Sequence, residues 1–258
     1  MSNNPHSNSG SPTISIITIV YNNVRDIAYT LTSVAEQTYL NIEYIVVDGA
    51  STDGTLDVIH EYDRIIDVLI SEKDKGIYDA MNKGLVKATG DYVLFLNSGD
   101  TLFATDTLQT IIERGNNADI IYGETKLVNE QREIVGNRRH KAPKHFDWQS
   151  FRYGMNICHQ AIYVRRSIAP AYDTTYQLSA DIDWVIRAAK QAKTTQYVDA
   201  FVARYLVGGM SQKRHRQSLD ERYAIFKKHY GAFNNFFNHL VIAARLIIYR
   251  MQHGKTRE

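Results

Sequence analysis

Apolar residues follow two alternating patterns through the first half of the chain. Residues 14–20 and 43–47 form nearly continuous runs rich in Ile and Val, which is typical of strands buried on both faces of a parallel sheet. Between them, residues 24–37 place apolar side chains three to four positions apart, which predicts one buried helical face. Similar patterns predict further strands at 68–71, 91–96 and 118–122 and further helices at 55–62, 77–89 and 105–114. This rhythm predicts an α/β fold in which helices flank a mainly parallel sheet.

The second half of the chain is less regular, although strands and helices are still recognisable. We predict strands at 161–164 and 196–202, a helix at 181–192, and two helices from Ser218 onwards. The pattern shows no internal repeat, so we predict one α/β domain over residues 13–215 and a C-terminal helical appendage over 216–258. Residues 1–12 are rich in Asn, Ser, Gly and Pro, a composition typical of a disordered tail.

Composition and charge narrow the class of protein. A chain of 258 residues can bury a proper core, and a formal net charge of only +2 gives no indication of a nucleic-acid partner. The single cysteine, Cys158, allows no internal disulfide and is typical of a buried small apolar residue in a reducing compartment. The sequence contains neither an apolar signal-peptide segment nor a run of about 18 apolar residues. We therefore expect a cytoplasmic protein without a transmembrane helix.

Polar residues follow three of the predicted strands, at 21–23, 48–53 and 97–100. In an open parallel sheet, ligands bind beyond the carboxyl ends of the strands. One such loop alone would be ordinary turn chemistry, but three in one sheet favour a ligand site. The chain lacks the glycine-rich dinucleotide fingerprint after its first strand, and it lacks a P-loop. These absences argue against a dinucleotide-dependent dehydrogenase and a P-loop enzyme.

Several segments, taken in order, resemble glycosyltransferase family 2, whose members have the GT-A fold. These segments are 16–23, 33–38, 44–55, 71–84, 88–100, 159–160 and 180–184. The stretch Asp-Lys-Gly-Ile-Tyr-Asp-Ala-Met-Asn-Lys-Gly at 74–84 resembles the subgroup that builds bacterial surface polysaccharides such as colanic acid and O-antigen. The resemblance implies an inverting transferase that moves a sugar from a nucleotide diphosphate sugar, by family habit a UDP-sugar, to an acceptor hydroxyl. Inversion also agrees with a single candidate base that has no paired nucleophile.

The resemblance implies a donor-binding role for six residues of the first half. They are Tyr21, Asn22, Asp48, Asp74, Lys75 and Gly76. Asp48 matches the position that accepts from the uracil N–H, with Tyr21 and Asn22 beside the base and ribose. Gly76 would allow the backbone to approach the donor closely. Lys75 would oppose phosphate charge, or is simply a solvated lysine.

A divalent cation, Mg²⁺ or Mn²⁺, is implied as the cofactor that neutralises the leaving diphosphate. The family usually supplies an Asp-x-Asp or Asp-Asp element for this purpose. This chain departs from that pattern, because Asn97-Ser98-Gly99-Asp100 retains only the last carboxylate. We expect Asp100 to be the metal ligand, with the side-chain oxygen of Asn97 as a weaker candidate.

Asp181 matches the family's catalytic base, which takes the proton from the acceptor hydroxyl. An exposed aspartate is ionised at neutral pH and ready to accept a proton. The glutamate that usually precedes this base is Ala180 here, a second departure from the pattern. Asp183 is the alternative base, although it points to a different helical face. A structural alternative for Asp181 is a helix N-cap or a first-turn acid that complements the helix dipole.

Three further segments have two interpretations each. His159 and Gln160 either line the side of the acceptor, a glycan or lipid-linked saccharide, or are structural. The loop at 208–216, with its glycines and cations, is either a lid over the donor or a solvated loop. The C-terminal helix combines an apolar stripe with four cations. It either contacts the inner face of an anionic membrane or packs on the domain or on a second subunit.

Two rival functions follow from the same sequence. A nucleotidyltransferase that makes nucleotide sugars would normally carry a glycine-rich, basic loop straight after the first strand, and residues 21–23 are not such a loop. A catalytically weak nucleotide-sugar or carbohydrate-binding protein of the same fold is the second rival. Asn97 and Ala180, where the family has carboxylates, are the residues that keep this rival open.

Overall fold

The computed structural model describes residues 10–138, 140–154, 156–208 and 214–253. Four strands from the first half of the chain form a parallel sheet in the order β3-β2-β1-β4. They are β1 (Ile14–Val20), β2 (Ile42–Asp48), β3 (Val68–Ser71) and β4 (Tyr92–Phe95). The register pairs Val20 with Asp48 and Asp48 with Ser71, so the carboxyl ends of these three strands lie at one edge.

Helices cover both faces of this parallel half. They are α1 (Ile27–Ala35), α2 (Thr55–His60) and α3 (Ile77–Lys87), and a fourth helix, α4 (Thr107–Arg114), packs against the second half of the chain. α1 buries Ile27 and Leu31 against one face of the sheet, and α3 packs on the other. Gly84 permits that second contact, because a Cβ at this position would lie 2.4 Å from Ile17 Cγ2. The predicted alternation of strands and flanking helices is confirmed.

The second half of the chain turns the sheet into a mixed one. Its strands are β5 (Thr101–Leu102), β6 (Ile120–Val128), β7 (Ile134–Asn137), β8 (Ile162–Arg165) and β9 (Thr195–Leu206). β8 is antiparallel to both β4 and β6, while β9 runs parallel to β6 and antiparallel to β5. The sheet is mainly but not wholly parallel, because β8 follows an irregular segment and not the crossover helix that a parallel strand would need. The apolar pattern of the sequence does not reveal β5, which is very short, or β7, which is mostly exposed.

Three helices complete the described chain. They are α5 (Ala180–Gln191), α6 (His215–Tyr230) and α7 (Ala232–His253). α5 is buried along most of its length, and α6 packs beside it. A 3₁₀ segment (Trp148–Tyr153) joins this layer, because the Trp148 and Tyr230 rings stack at 5.7 Å.

α7 leaves an apolar surface uncovered. Its exposed apolar side chains are Phe233, Phe236, Phe237, Leu240, Val241, Ile247, Ile248 and Met251. Phe233 is 76% exposed and Met251 is 81% exposed. Within the described part of the chain, no helix is long and apolar enough to span a bilayer.

Candidate active site

The three polar loops meet at the carboxyl edge of β1, β2 and β4. Asn22 donates its backbone N–H to Ser51 Oγ at 2.8 Å, and its Oδ1 accepts from Thr52 N–H at 2.9 Å. Asn23 links the first loop to the third, because its Nδ2 donates to Ser98 Oγ at 2.8 Å. The three loops therefore lie together at the carboxyl ends of the strands, as the sequence predicted. Asn22 is fixed in place by these bonds and has a left-handed φ of 46°, a conformation that Asn tolerates.

Tyr21, Gly49 and Asp74 lie together on one side of this edge. A Cβ on Gly49 would lie 2.7 Å from Asp74 Oδ2 and 3.1 Å from Tyr21 Cδ2, so a larger residue here would displace these two side chains. The Tyr21 side chain is 65% exposed and offers an aromatic face to a ligand. Asp74 Oδ1 accepts from Gly76 N–H at 2.9 Å, and Gly76 has a φ of 124°. Lys75, between them, is exposed.

Asp48 is fully buried, and its carboxylate is engaged by its own loop. Asp48 Oδ2 accepts from Ser71 Oγ at 2.7 Å and from Ser51 N–H at 3.1 Å. These bonds tie the loop after β2 to the end of β3. Asp48 therefore shapes the edge of the site, and a base N–H would have to reach the lone pairs that these donors leave free.

Asp100 is also held by protein donors, and it is only 5% exposed. Oδ1 accepts from Leu206 N–H at 2.9 Å, and Oδ2 accepts from Gln160 Nε2. Burial raises the pKa of Asp100 to about 7, against the opposing effect of these hydrogen bonds. Asp100 thus connects the loop after β4 to the last residue of β9.

The oxygen atoms of this loop fit a hard cation. Asn97 Oδ1 is buried and has no hydrogen-bond partner among the residues that the structure describes. Each Asp100 oxygen accepts a single hydrogen bond, which leaves lone pairs for a ligand. The described ranges contain no cluster of three or more His, Cys, Asp or Glu suited to a metal. A cation here would therefore take its remaining ligands from the donor diphosphate and from water.

Asp181 lies in the first turn of α5, where two distant elements reach it. Tyr78, on α3, donates its hydroxyl to Asp181 Oδ1 at 3.4 Å, and burial raises the pKa of Tyr78, so the phenol keeps its proton. His159 Nδ1 lies 3.6 Å from Asp181 Oδ2. The Asp181 side chain is 18% exposed, so it is partly enclosed and not freely exposed as the sequence suggested.

Asp183 has a different environment, although it is two residues away. It is fully buried and receives hydrogen bonds from Arg187 (2.6 Å), His229 (2.8 Å) and Lys228 (3.0 Å). Burial alone would raise the pKa of Asp183, but these three donors outweigh it and hold the pKa well below its usual range. Asp183 therefore joins α5 to α6 and has no free face for an acceptor.

Comparison with known proteins assigns the chain to a family. Residues 15–169 match the family model described as glycosyl transferase family 2. The chain belongs to that family. It is therefore a glycosyltransferase, and the family resemblance read from the sequence is confirmed.

One named relative matches most of the chain, and another matches about a third of it. A "PGL/p-HBAD biosynthesis glycosyltransferase" of Mycobacterium bovis is 35% identical over 215 residues, which are 78% of this chain and 80% of the relative. The "putative teichuronic acid biosynthesis glycosyltransferase TuaG" of Bacillus subtilis is 42% identical over 92 residues, 34% of this chain and 36% of the relative.

Solved structures support the GT-A fold. S. aureus TarS in complex with UDP aligns with a TM-score of 0.64 at 21% identity, over 83% of this chain and 64% of that chain. This chain thus spans about two thirds of the TarS fragment. The mannosyltransferase PcManGT of Pyrobaculum calidifontis, in complex with GDP-Man and Mn²⁺, aligns with a TM-score of 0.62 at 19% identity, over 95% of this chain and 77% of that one.

A cation that the sequence pattern did not indicate lies close enough to Cys158 and His159 to affect both side chains. Arg138 follows β7, and its Nη1 is buried without a hydrogen-bond partner in the described ranges. Burial raises the pKa of Cys158 and lowers that of His159, and the Arg138 charge lowers both pKa values. Arg138 belongs to a polar run, Asn-Arg-Arg-His at 137–140, whose lack of periodicity gave no signal of burial.

The lid predicted at 208–216 lies partly outside the described residues, which omit 209–213. On its near side, Leu206 is bonded to Asp100 as described above. On its far side, Arg214 Nη2 donates to Gln177 Oε1 at 3.0 Å. Both described ends of the segment thus attach to the domain.

Proposed function

We propose that this family member is an inverting transferase that moves a sugar from a UDP-sugar to an acceptor hydroxyl in bacterial surface polysaccharide biosynthesis. The observation that carries the proposal is the partly enclosed Asp181 carboxylate, which accepts a hydrogen bond from Tyr78 and has His159 Nδ1 3.6 Å away. The relatives named for PGL/p-HBAD and teichuronic acid biosynthesis support the acceptor class. The UDP bound to TarS supports the donor class.

The chemistry needs one base and no covalent intermediate. The acceptor oxygen attacks the anomeric carbon, the bond from that carbon to the β-phosphate oxygen breaks, and Asp181 takes the acceptor proton. Attack from the face opposite the leaving diphosphate inverts the anomeric centre. Asp183, the neighbouring acid, is fully occupied by Arg187, Lys228 and His229, so it supplies neither a second base nor a nucleophile.

A divalent cation, when bound, would neutralise the charge that develops on the leaving diphosphate. Asp100 and Asn97 are the residues that would hold it. Both present side-chain oxygens at the loop after β4, and hard cations prefer such ligands.

The donor base and ribose would lie along the loops after β1 and β2. The exposed Tyr21 ring can stack on a base, and Asp48 with Asn22 would define the floor beside it. Asp74, Lys75 and Gly76 follow β3, where the exposed Lys75 ammonium can oppose the diphosphate charge. Gly76 is exposed and has open space where a Cβ would lie, so the donor can approach its backbone closely.

We further propose that α7 contacts an anionic membrane, where a lipid-linked saccharide acceptor would be found. Its apolar side chains are exposed, and residues 231–257 contain four cations and no Asp or Glu. This combination suits a helix lying at the surface of an anionic bilayer. Co-sedimentation with phosphatidylglycerol vesicles, but not with phosphatidylcholine vesicles, is expected. A concentration-dependent dimer that ignores vesicles would instead assign α7 to a second subunit.

A ligand screen followed by a turnover assay tests the proposed function. UDP-GlcNAc, UDP-glucose and GDP-mannose, each with and without Mn²⁺, are compared by thermal shift, because a ligand that binds the native state raises its melting temperature. The stabilising donor is then assayed for nucleotide diphosphate release. Stabilisation with release supports the transferase. Stabilisation without release, even with candidate acceptors added, would favour the alternative function, a catalytically weak nucleotide-sugar-binding protein. Asn97 and Ala180, which replace carboxylates of the family, are the residues that suggest this alternative.

A further inference from the structure

His159 lies between the loop after β4 and the candidate base. Asn97 Nδ2 lies 3.2 Å from His159 Nε2, and His159 Nδ1 lies 3.6 Å from Asp181 Oδ2. As the Asn97 side chain is oriented here, its NH₂ group faces the ring and can only donate, so Nε2 is the acceptor in this pair. The imidazole of His159 then carries its proton on Nδ1, the nitrogen that faces Asp181.

We propose that His159 is a positioning residue for Asp181, and that Asn97 fixes the His159 tautomer which this role requires. The inference rests on the proposed transfer reaction, in which Asp181 is the base. His159 itself does not touch the reacting atoms. It acts through the carboxylate that it orients.

Two donors approach the two oxygens of Asp181 from different elements. Tyr78 addresses Oδ1 from α3, and His159 addresses Oδ2 from a 3₁₀ segment (His159–Ala161). A carboxylate that has a donor close to each oxygen is restricted in its orientation toward the acceptor, and such positioning accounts for part of an enzyme's rate enhancement. The 3.6 Å separation is longer than a hydrogen bond, and catalytic hydrogen bonds often reach full strength only in the substrate complex.

The amide of Asn97 is essential to this arrangement, whereas a carboxylate would oppose it. A carboxylate at position 97 can only accept, so it would favour a proton on Nε2 of His159. Either the bare Nδ1 lone pair would then face the Asp181 carboxylate and repel it, or the ring would take a second proton and its positive charge would lower the basicity of Asp181. The departure from the family's usual Asp would therefore be matched to the His159 contact. If Asn97 acted only as a weak metal ligand, a carboxylate at position 97 should instead raise the turnover.

The Asn97→Asp variant separates the two views. If Asn97 matters chiefly as a weak metal ligand, the variant should bind Mn²⁺ and UDP more tightly and turn over faster. The positioning role predicts a kcat lowered by about 10–100-fold, the usual effect of losing an orienting partner, whatever happens to Mn²⁺ affinity. A kcat equal to or above that of the wild type would overturn the proposal.

Substitutions at His159 supply a matched pair. His159→Asn places an amide NH₂ near the position of Nδ1 and should retain part of the turnover, whereas His159→Phe fills the volume without a donor. Both variants should bind UDP like the wild type, so kcat falls while the donor KM is nearly unchanged. Equal kcat values in the two variants would contradict the role of the Nδ1 proton. Melting temperatures of both variants identify any loss that is due to misfolding.

A spectroscopic measurement decides the tautomer without any turnover. Two-bond ¹H–¹⁵N spectra of ¹⁵N-histidine-labelled wild type distinguish Nδ1–H from Nε2–H rings, and the His159 signal is the one missing in His159→Asn. We expect an Nδ1–H ring in the wild type that changes state in Asn97→Asp. An Nε2–H ring in the wild type would overturn the inference even if the protein is an active transferase. The expected ring in an inactive protein would leave the tautomer assignment standing and refute only the proposed function.

Discussion

Replacing Asp183 with asparagine should destabilise the protein without removing its base. The carboxylate is fully buried and bonded to Arg187, Lys228 and His229 at 2.6–3.0 Å. Breaking a buried ion pair by removing one partner costs about 3–5 kcal/mol. The Arg187 and Lys228 side chains are 27% and 45% exposed, so water can partly solvate them in the variant. The asparagine also keeps one acceptor oxygen, so we expect a loss near the lower end, about 3 kcal/mol.

Thermal unfolding followed by circular dichroism measures this loss. For a chain of this size, each kcal/mol shifts the melting temperature by about 2–4 °C, so the variant should melt about 6–12 °C below the wild type at pH 7. Asp181→Asn is the matched control, because Asp181 has no buried ion-pair cluster, and its loss should be at most about 1 kcal/mol.

The pH dependence gives an independent check. The folded-state pKa of Asp183 is depressed, so its contribution to stability is present above the unfolded-state pKa of about 3.9 and is lost as pH falls toward the folded-state value. The gap between wild type and Asp183→Asn should therefore be full at pH 7 and should narrow below about pH 4. Equal melting temperatures at pH 7, or a gap that widens in acid, would refute the reasoning.

Two further variants test the donor and metal residues. Asp100→Ala should abolish transfer and weaken Mn²⁺-dependent UDP binding measured by isothermal titration, because it removes the only carboxylate of its loop; unchanged affinity would contradict a metal role. Asp48→Ala should weaken UDP binding and also loosen the loop that Asp48 ties to Ser51 and Ser71. If Asp48→Ala binds UDP like the wild type, Asp48 is a loop anchor and nothing more.

The parallel half of the fold could be predicted because local sequence determines it. The buried runs that became β1 and β2 are continuous in Ile and Val, and the helices between them have clear periodicity. The rule that ligands bind at strand carboxyl ends then predicted that three loops lie at one site. Pairing in the other half depends on contacts distant in sequence, such as β6 with β9. Neither β5, with two residues, nor the exposed β7 carries an apolar pattern to reveal it.

The candidate site was less accessible to sequence reasoning than the fold. Asp181 and Asp183 look alike in sequence. Only the position of α6 shows that Asp183 is hydrogen-bonded to His229, which lies 46 residues away. The hydrogen bonds that occupy Asp100 likewise come from Gln160 and Leu206. Such partners are set by tertiary packing, and a single sequence contains no signal of it.

Turnover of the Asp181→Asn variant tests the central claim most directly. The substitution keeps the shape of the side chain and removes its basicity, so kcat should fall by about 10²–10⁴-fold, the usual contribution of a positioned general base. UDP affinity should stay near that of the wild type, because the base faces the acceptor and not the nucleotide. Asp183→Asn, assayed well below its melting temperature, should keep most of its turnover. Near-normal turnover in Asp181→Asn, with a large loss in Asp183→Asn, would contradict the account and move the base to Asp183.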